Sequence, residues 1–286
     1  MGNEVGAVTS EPAGAEDVGD ALLAAVEDTV RDVVAAEVLP RWRRLAEADI
    51  ARKTGPHDLV TTADRRAEER LTERLTALLP GSVVVGEEAV SADPAVLGLL
   101  HGAAPVWVVD PVDGTAAFVR GEDGFATLVA LVLDGEPVAS WTYAPRRGQF
   151  ATARRGRGAH LDGEPLRTRD HGEPLRLWTS SPVFRTPYER RVLAGLDAAG
   201  ARCTPCGCAG LAYLDVARGV MDGVAFFWES PWDHAAGLLL VTEAGGAHLT
   251  AAGQPFRTAG GNTLPFTVAR NAATARRVVD LLGPER

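Results

Sequence analysis

VVDPVDGTAAF, residues 108–118, decides how the rest of the chain is read. An apolar β-branched run over residues 106–109 ends on Asp110, a second carboxylate follows at Asp113, and Gly114 and Thr115 come straight after. Pro111 is expected to end the strand, so that Asp110 and Asp113 turn toward one point and the Val112 carbonyl leaves the ladder as a further oxygen ligand. Gly114 lets backbone come close, and a helix beginning there offers free N–H groups to an anion. Carboxylates that hold cations, beside a glycine and a hydroxyl that hold phosphate, describe phosphoester hydrolysis by a metal-activated water. Two cations about 3.5–4 Å apart can stabilise both the attacking and the leaving oxygen. In D-x-D-G-T phosphatases of the haloacid dehalogenase type an aspartate is itself the nucleophile and its partner acid stands two residues on. Here the separation is three, which disfavours a phosphoaspartate.

Other acids recur where strand or loop meets helix: Asp58 and Asp64 in DLVTTAD, Glu87 and Glu88 in GEE, and Asp233 in SPWDHAAG. Hard oxygen ligands without matching histidines or cysteines favour Mg²⁺, with Mn²⁺ as the alternative, over zinc. Each motif also has an ordinary structural role open to it. Asp58 can cap a turn, and Asp233 can stabilise a helix whose N-cap is Ser230 and whose first residue is Pro231. Cys203, Cys206 and Cys208 fall within six residues with no fourth ligand at zinc spacing, so small buried side chains are expected. His234 is expected to be packed or exposed, and Trp178, Trp228 and Trp232 to be core.

The bulk numbers narrow the class. At 286 residues and 46% hydrophobic composition the chain can bury a sizeable core. Its net charge of −9 argues against a nucleic-acid or anionic-membrane surface. No stretch reaches the length of a membrane span and no signal-like segment opens the chain, so a cytoplasmic protein is expected. Lys53 is a lone lysine among arginines.

Residues 1–20 read as a disordered tail, residues 21–173 as an α+β half carrying the metal and phosphate motifs, and residues 174–286 as an α/β half completing the site. Helices are expected from Ala21, with Pro40 as a break, and over 64–79. Short strands are expected at 82–85 and 106–109, hairpins around Asp134-Gly135 and Asp162-Gly163, and alternating strands and helices beyond residue 174.

Lys53 followed by DLVTTAD, then GEE, DPVDGT and WDHAAG, in that order and spacing, resembles the inositol monophosphatase family. The resemblance implies an αβαβα layered sandwich, usually a homodimer, with Mg²⁺-dependent phosphomonoesterase activity on a small phosphorylated metabolite. It implies that Glu87, Asp110 and the Val112 carbonyl hold one metal, that Asp110, Asp113 and Asp233 hold a second, and that Glu87 helps with a third. Asp64 and Thr115 would orient and deprotonate the water, the Gly114 and Thr115 amides would bind phosphate, and Lys53 would be the loop lysine of the site. The substrate expected is a small polyol or sugar phosphate of the inositol 1-phosphate kind. FVRG, residues 118–121, resembles histidinol-phosphate phosphatases and makes that the alternative. A nucleotide 3′-phosphatase and a non-catalytic metal-binding relative stand behind it. Departures fall on specificity: Ala117 replaces an asparagine common in the family, and Phe226 stands where inositol-hydrolysing members place a glutamate. Glu229 is the nearest acid, a turn out of place.

Overall fold

The computed structural model describes residues 18–53 and 58–282. Most of the stretch expected to be a tail, residues 1–17, lies outside the described residues; Val18 is buried and its carbonyl accepts from Arg154. Helix α1 (Asp20–Val33) buries Val26, Val30 and Val33 at three- and four-residue spacing, then widens into a π turn at Val34–Val38 before the chain turns near Pro40. Strands β1 (Ile50–Arg52) and β2 (Leu59–Thr61) pair antiparallel and deliver the chain to α2 (Thr62–Leu78), which buries Ala67, Leu71 and Leu75.

Seven strands form one sheet in sequence order: β3 (Val83–Gly86), β4 (Val106–Asp113), β5 (Ala126–Leu133), β6 (Glu136–Ala144), β7 (Gln149–Arg154), β8 (Gly158–Leu161) and β9 (Glu164–Leu166). Only β3 and β4 run parallel. The expected hairpins form, with Asp134-Gly135 and Asp162-Gly163 all at positive φ, as tight turns between twisted strands require. Two short helices sit at the ends of β3 and β4: α3 (Glu87–Ala92) and α4 (Thr115–Val119).

The second sheet has the order β11-β10-β12-β14-β13, built from β10 (Arg176–Ser180), β11 (Arg202–Cys206), β12 (Gly223–Phe226), β13 (Ala247–Thr250) and β14 (Phe266–Ala269). Its helices are α5 (Pro187–Ala198), α6 (Ala209–Ala217), α7 (Pro231–Glu243) and α8 (Ala272–Leu282). Helices α1 and α2 cover one face of the large sheet, α6 and α7 lie between the sheets, and α5 and α8 close the far side. The result is the αβαβα sandwich. Every residue of β4 is buried because helices cover both faces of its sheet. No helix of the described residues is long and apolar enough to cross a membrane.

Pro111 does not end β4, contrary to expectation. The strand runs on to Asp113, and its pairing with β5 steps from Asp110 opposite Leu128 to Asp113 opposite Ala126, so three steps on one strand face two on the other. A bulge tolerates a residue with no N–H, and the Thr127 hydroxyl donates to the Pro111 carbonyl. Strands β11 and β13 were not expected. The former is a polar, proline-bearing edge segment, RCTPC, with none of the alternation that marks a half-buried strand.

Candidate active site

The bulge in β4 is the foundation of the site. Asp110 Oδ1 accepts the Val112 N–H at 3.1 Å, so the carboxylate satisfies the amide that the bulge releases. Gly114 then turns the chain at φ 89°, with a site for a side-chain carbon only 2.5 Å from the Gly124 carbonyl, so glycine is required both by conformation and by space. Thr115 opens α4, and its hydroxyl lies 2.9 Å from the Val112 carbonyl and 3.1 Å from Asp64 Oδ1, one proton shared between two acceptors.

Asp64 reaches this point from the first turn of α2 through local capping. Thr61 accepts from the Ala63 N–H and donates both its own N–H and its hydroxyl to Asp64 Oδ2. The carboxylate therefore has one oxygen fixed and the other turned to Thr115. Burial pushes the Asp64 carboxyl up to about 7, the Thr61 hydrogen bonds oppose this, and the charges of Glu87 and Glu88 add to it.

GEE is arranged by a residue outside the sequence expectation, Glu68. Its carboxylate, projecting from α2, accepts the Glu88 and Ala89 N–H groups at 2.8 Å and so caps α3. A side chain on Gly86 would meet that carboxylate at 2.3–2.6 Å, which accounts for the glycine. Lys53 donates to Glu87 Oε1 at 2.7 Å and to Glu88 Oε1 at 2.6 Å. Burial lowers the lysine's pKa, but the two glutamates outweigh it and the ammonium is held above its ordinary value.

Asp110, Asp113 and Asp233 each present a carboxylate oxygen within 4.8 Å of the others. Asp113 is gripped by the N-terminus of α6: Ala209 and Gly210 donate their N–H groups and the Cys208 thiol donates to Oδ2 at 3.0 Å. Burial raises the Asp113 carboxyl to about 6 against these donors. Asp110 and Asp233 stand well above the usual carboxylate range, first through burial and then through the charges of Glu87 and Asp113, with Asp233 and Asp64 adding to the effect on Asp110. Ser230 and Pro231 occupy the expected cap and first positions of α7, although the serine hydroxyl makes no capping bond.

Asp233 is oriented by Trp228, whose indole N–H donates to Oδ2 at 2.8 Å. Behind it His234 is buried among rings. Its Nε2 faces the Trp228 carbonyl, which can only accept, so Nε2 carries the proton and Nδ1 accepts from the Tyr213 hydroxyl. Burial lowers its pKa to about 3 and keeps it neutral. His234 is thus packed, as expected, and Trp228 does more than fill the core. Trp228→Phe is expected to weaken divalent-cation binding about 10–100-fold, read by titration calorimetry with Mg²⁺; unchanged affinity would show that the indole does not orient Asp233.

The residues fit a hard divalent cation. Three buried carboxylates, from Asp64, Asp110 and Asp113, and the half-buried Asp233 crowd one another, and Lys53, whose charge reaches Asp233, is already shared by two glutamates. Glu87 faces the same cleft as Gly114, Thr115 and Asp233, but it is not within the 4.8 Å group and one of its oxygens is engaged by Lys53. Asp58 lines this cleft too. Ala117 is buried on α4 beside Gly124 and lines no part of it. Phe226 is buried and forms a wall of an adjoining chamber, whereas Glu229 accepts from the backbone and side-chain amides of Asn262 at 2.9 Å and faces neither space.

The sequence model described as "Inositol monophosphatase family" matches residues 20–279. The chain belongs to this family. It is 30% identical over 234 residues to the inositol-1-monophosphatase of Bacillus subtilis, a match that covers 77% of this chain and 86% of that one. It is 32% identical over 209 residues to a fructose-1,6-bisphosphatase/inositol-1-monophosphatase of Aquifex aeolicus, covering 71% and 75%. Among solved structures, the inositol monophosphatase of Thermotoga maritima superposes with a TM-score of 0.78 at 26% identity, over 92% of this chain and 97% of that one. Glu68, Cys208 and Trp228 escaped sequence reasoning in this inositol monophosphatase relative. Glu68 alone had a local signal, four residues after Asp64 on the same face of α2. Nothing in the spacing pairs Cys208 with Asp113.

Proposed function

We propose that the chain is a metal-dependent phosphomonoesterase that releases phosphate from a small organic phosphate, with water as the attacking group. One observation carries the reading: the Asp64–Thr115 pair stands beside a buried cluster of carboxylates that fits divalent cations. In this reading Asp110, Asp113, Asp233, Glu87 and the Val112 carbonyl hold Mg²⁺, two or three ions, with Mn²⁺ able to substitute. The bound cations supply Lewis-acid stabilisation and a lowered pKa for water. Thr115 accepts a hydrogen bond from the water and passes its own proton toward Asp64, whose fixed Oδ2 keeps Oδ1 aimed at the threonine. The Gly114 and Thr115 amides orient the phosphate. Lys53 steadies Glu87 and offsets the charge of the glutamate pair.

Two alcohol classes compete. The activities named for the Bacillus and Aquifex relatives favour a polyol or sugar phosphate. Phe226, together with FVRG at residues 118–121, favours a histidinol phosphate. We further propose a cytoplasmic homodimer; sedimentation at the mass of one chain would remove the dimer. The deciding test is phosphate release from inositol 1-phosphate, histidinol phosphate, fructose 1,6-bisphosphate and adenosine 3′,5′-bisphosphate, with Mg²⁺ and with chelator. Turnover of at least one compound, lost on chelation, is expected. Turnover that survives chelation would sink the metal-dependent reading, and metal binding without turnover of any compound would favour a non-catalytic relative.

A further inference from the structure

A chamber of about 370 Å³ opens between α6, β10, β12 and the segment after β12. It is continuous with the acidic cleft, because Phe184, Gly207, Trp228 and Asp233 line both spaces. A phosphate held at Gly114 and Thr115 therefore has its alcohol directed past Asp233 and Asp113 into the chamber. Much of the chamber's wall is rings, and of its polar lining Thr179 and Glu189 are already hydrogen-bonded to other groups of the protein. Phe226, Phe227 and Trp228 line its depth, and Phe184, half exposed, stands at the mouth. These surfaces are fixed: Phe226 stacks on Tyr213 at 5.1 Å between centroids and meets Trp228 edge-on at 5.0 Å. Against the rings stands the buried Ser180 hydroxyl, which lines the same chamber and has no hydrogen-bond partner among the described residues.

These features are poorly suited to a polyhydroxylated ring. Each hydroxyl taken out of water needs a partner, and ring faces supply none. A flat ring, by contrast, gains buried apolar area and edge or stacking contacts. A single heteroatom on such a ring would find Ser180. Resting on the phosphatase reading above, we propose that the chamber selects phosphate monoesters whose alcohol carries a flat ring, with a hydrogen-bonding atom of that ring, where it has one, set against Ser180, and that Phe184, Phe226 and Ser180 set this preference.

The test compares 2-phenylethyl phosphate, histidinol phosphate and inositol 1-phosphate as substrates of the full chain with Mg²⁺. In parallel, tryptophan fluorescence follows the phosphate-free alcohols, 2-phenylethanol and inositol, with chelator present. The ring-bearing esters are expected to exceed inositol 1-phosphate in kcat/KM by a factor on the order of 10–100. Phe184→Ser, at a half-exposed position, should raise KM for the ring-bearing esters more than for inositol 1-phosphate. Ser180→Ala should penalise histidinol phosphate and spare 2-phenylethyl phosphate. Equal or better turnover of inositol 1-phosphate overturns the chamber's role while the phosphatase reading stands. If no ester is hydrolysed but 2-phenylethanol quenches saturably and inositol does not, the chamber's preference stands and the phosphatase reading falls. If neither alcohol binds and no ester is turned over, both fall.

Discussion

Asp110→Asn protein is expected to fold, to melt no lower than the parent when divalent cations are absent, and to release phosphate at least about 10³-fold more slowly when they are present, a loss of about 4 kcal/mol of transition-state stabilisation. The two halves of this expectation have one origin. Asp110 is buried beside Asp113, Asp233, Glu87 and Asp64, so its charge is unfavourable to the cation-free fold and necessary to the cation-loaded one. An amide of nearly the same shape relieves the repulsion, and it can still accept the Val112 N–H that shapes the bulge. Melting curves with chelator and with Mg²⁺, beside a phosphate-release assay, separate the effects. The parent should gain stability from Mg²⁺ by mass action and the variant should gain less. A variant that loses activity because it has unfolded, or one that keeps it, would overturn the assignment of Asp110 as a ligand.

The second large effect is a pH dependence that Mg²⁺ cancels. Asp113 stands at about 6, and Asp64 and Glu68 at about 7, all raised chiefly by burial above ordinary carboxylate values of about 3.9–4.3. The folded protein therefore holds more protons than the unfolded chain between those limits. Stability is fully present below about pH 4 as far as these groups are concerned, and it is lost as pH rises through 6 and 7. Cation-free protein is expected to melt several degrees lower at about pH 7.5 than at about pH 5. Added Mg²⁺ should restore much of the difference at the higher pH by neutralising the charge around Asp113, and do little at the lower, where protons occupy the Asp113 oxygens. A melting temperature that does not change with pH in chelator, or an equal gain from Mg²⁺ at both pH values, would show that protons and cation do not compete at Asp113.

Legibility in the sequence followed the range of the interactions. DPVDGT pointed to converging carboxylates because strand, proline, glycine and hydroxyl act within eight residues. The start of α2 was placed near Asp64 from apolar periodicity, two residues inside its true start at Thr62, because the capping by Thr61 was not read. The α/β alternation beyond residue 174 was visible in apolar periodicity. Pro111 was misread because a missing N–H ends a strand in one context and marks a bulge in another, and only the pairing with β5 decides between them. The grip of Cys208 on Asp113, the aim of Trp228 at Asp233 and the ring-lined chamber were not legible. Each arises from the docking of α6 and α7 between two sheets, which no local pattern encodes. Glu229 shows the same limit: near the right place in sequence, it turns to Asn262 in space.

The acids that meet at 4.8 Å come from the large sheet and from a helix between the layers, Asp110 and Asp113 early in the chain and Asp233 late in it. Loops of that span close slowly. Under the metal-dependent reading, cation affinity is therefore a property of the finished fold and is expected as the last event on refolding. A fragment ending before α7 would hold no more than two of the three carboxylates. Without a divalent cation the chain would complete its layers with three carboxyl groups facing one another, and an ion, arriving last, would act as a latch on a structure already made.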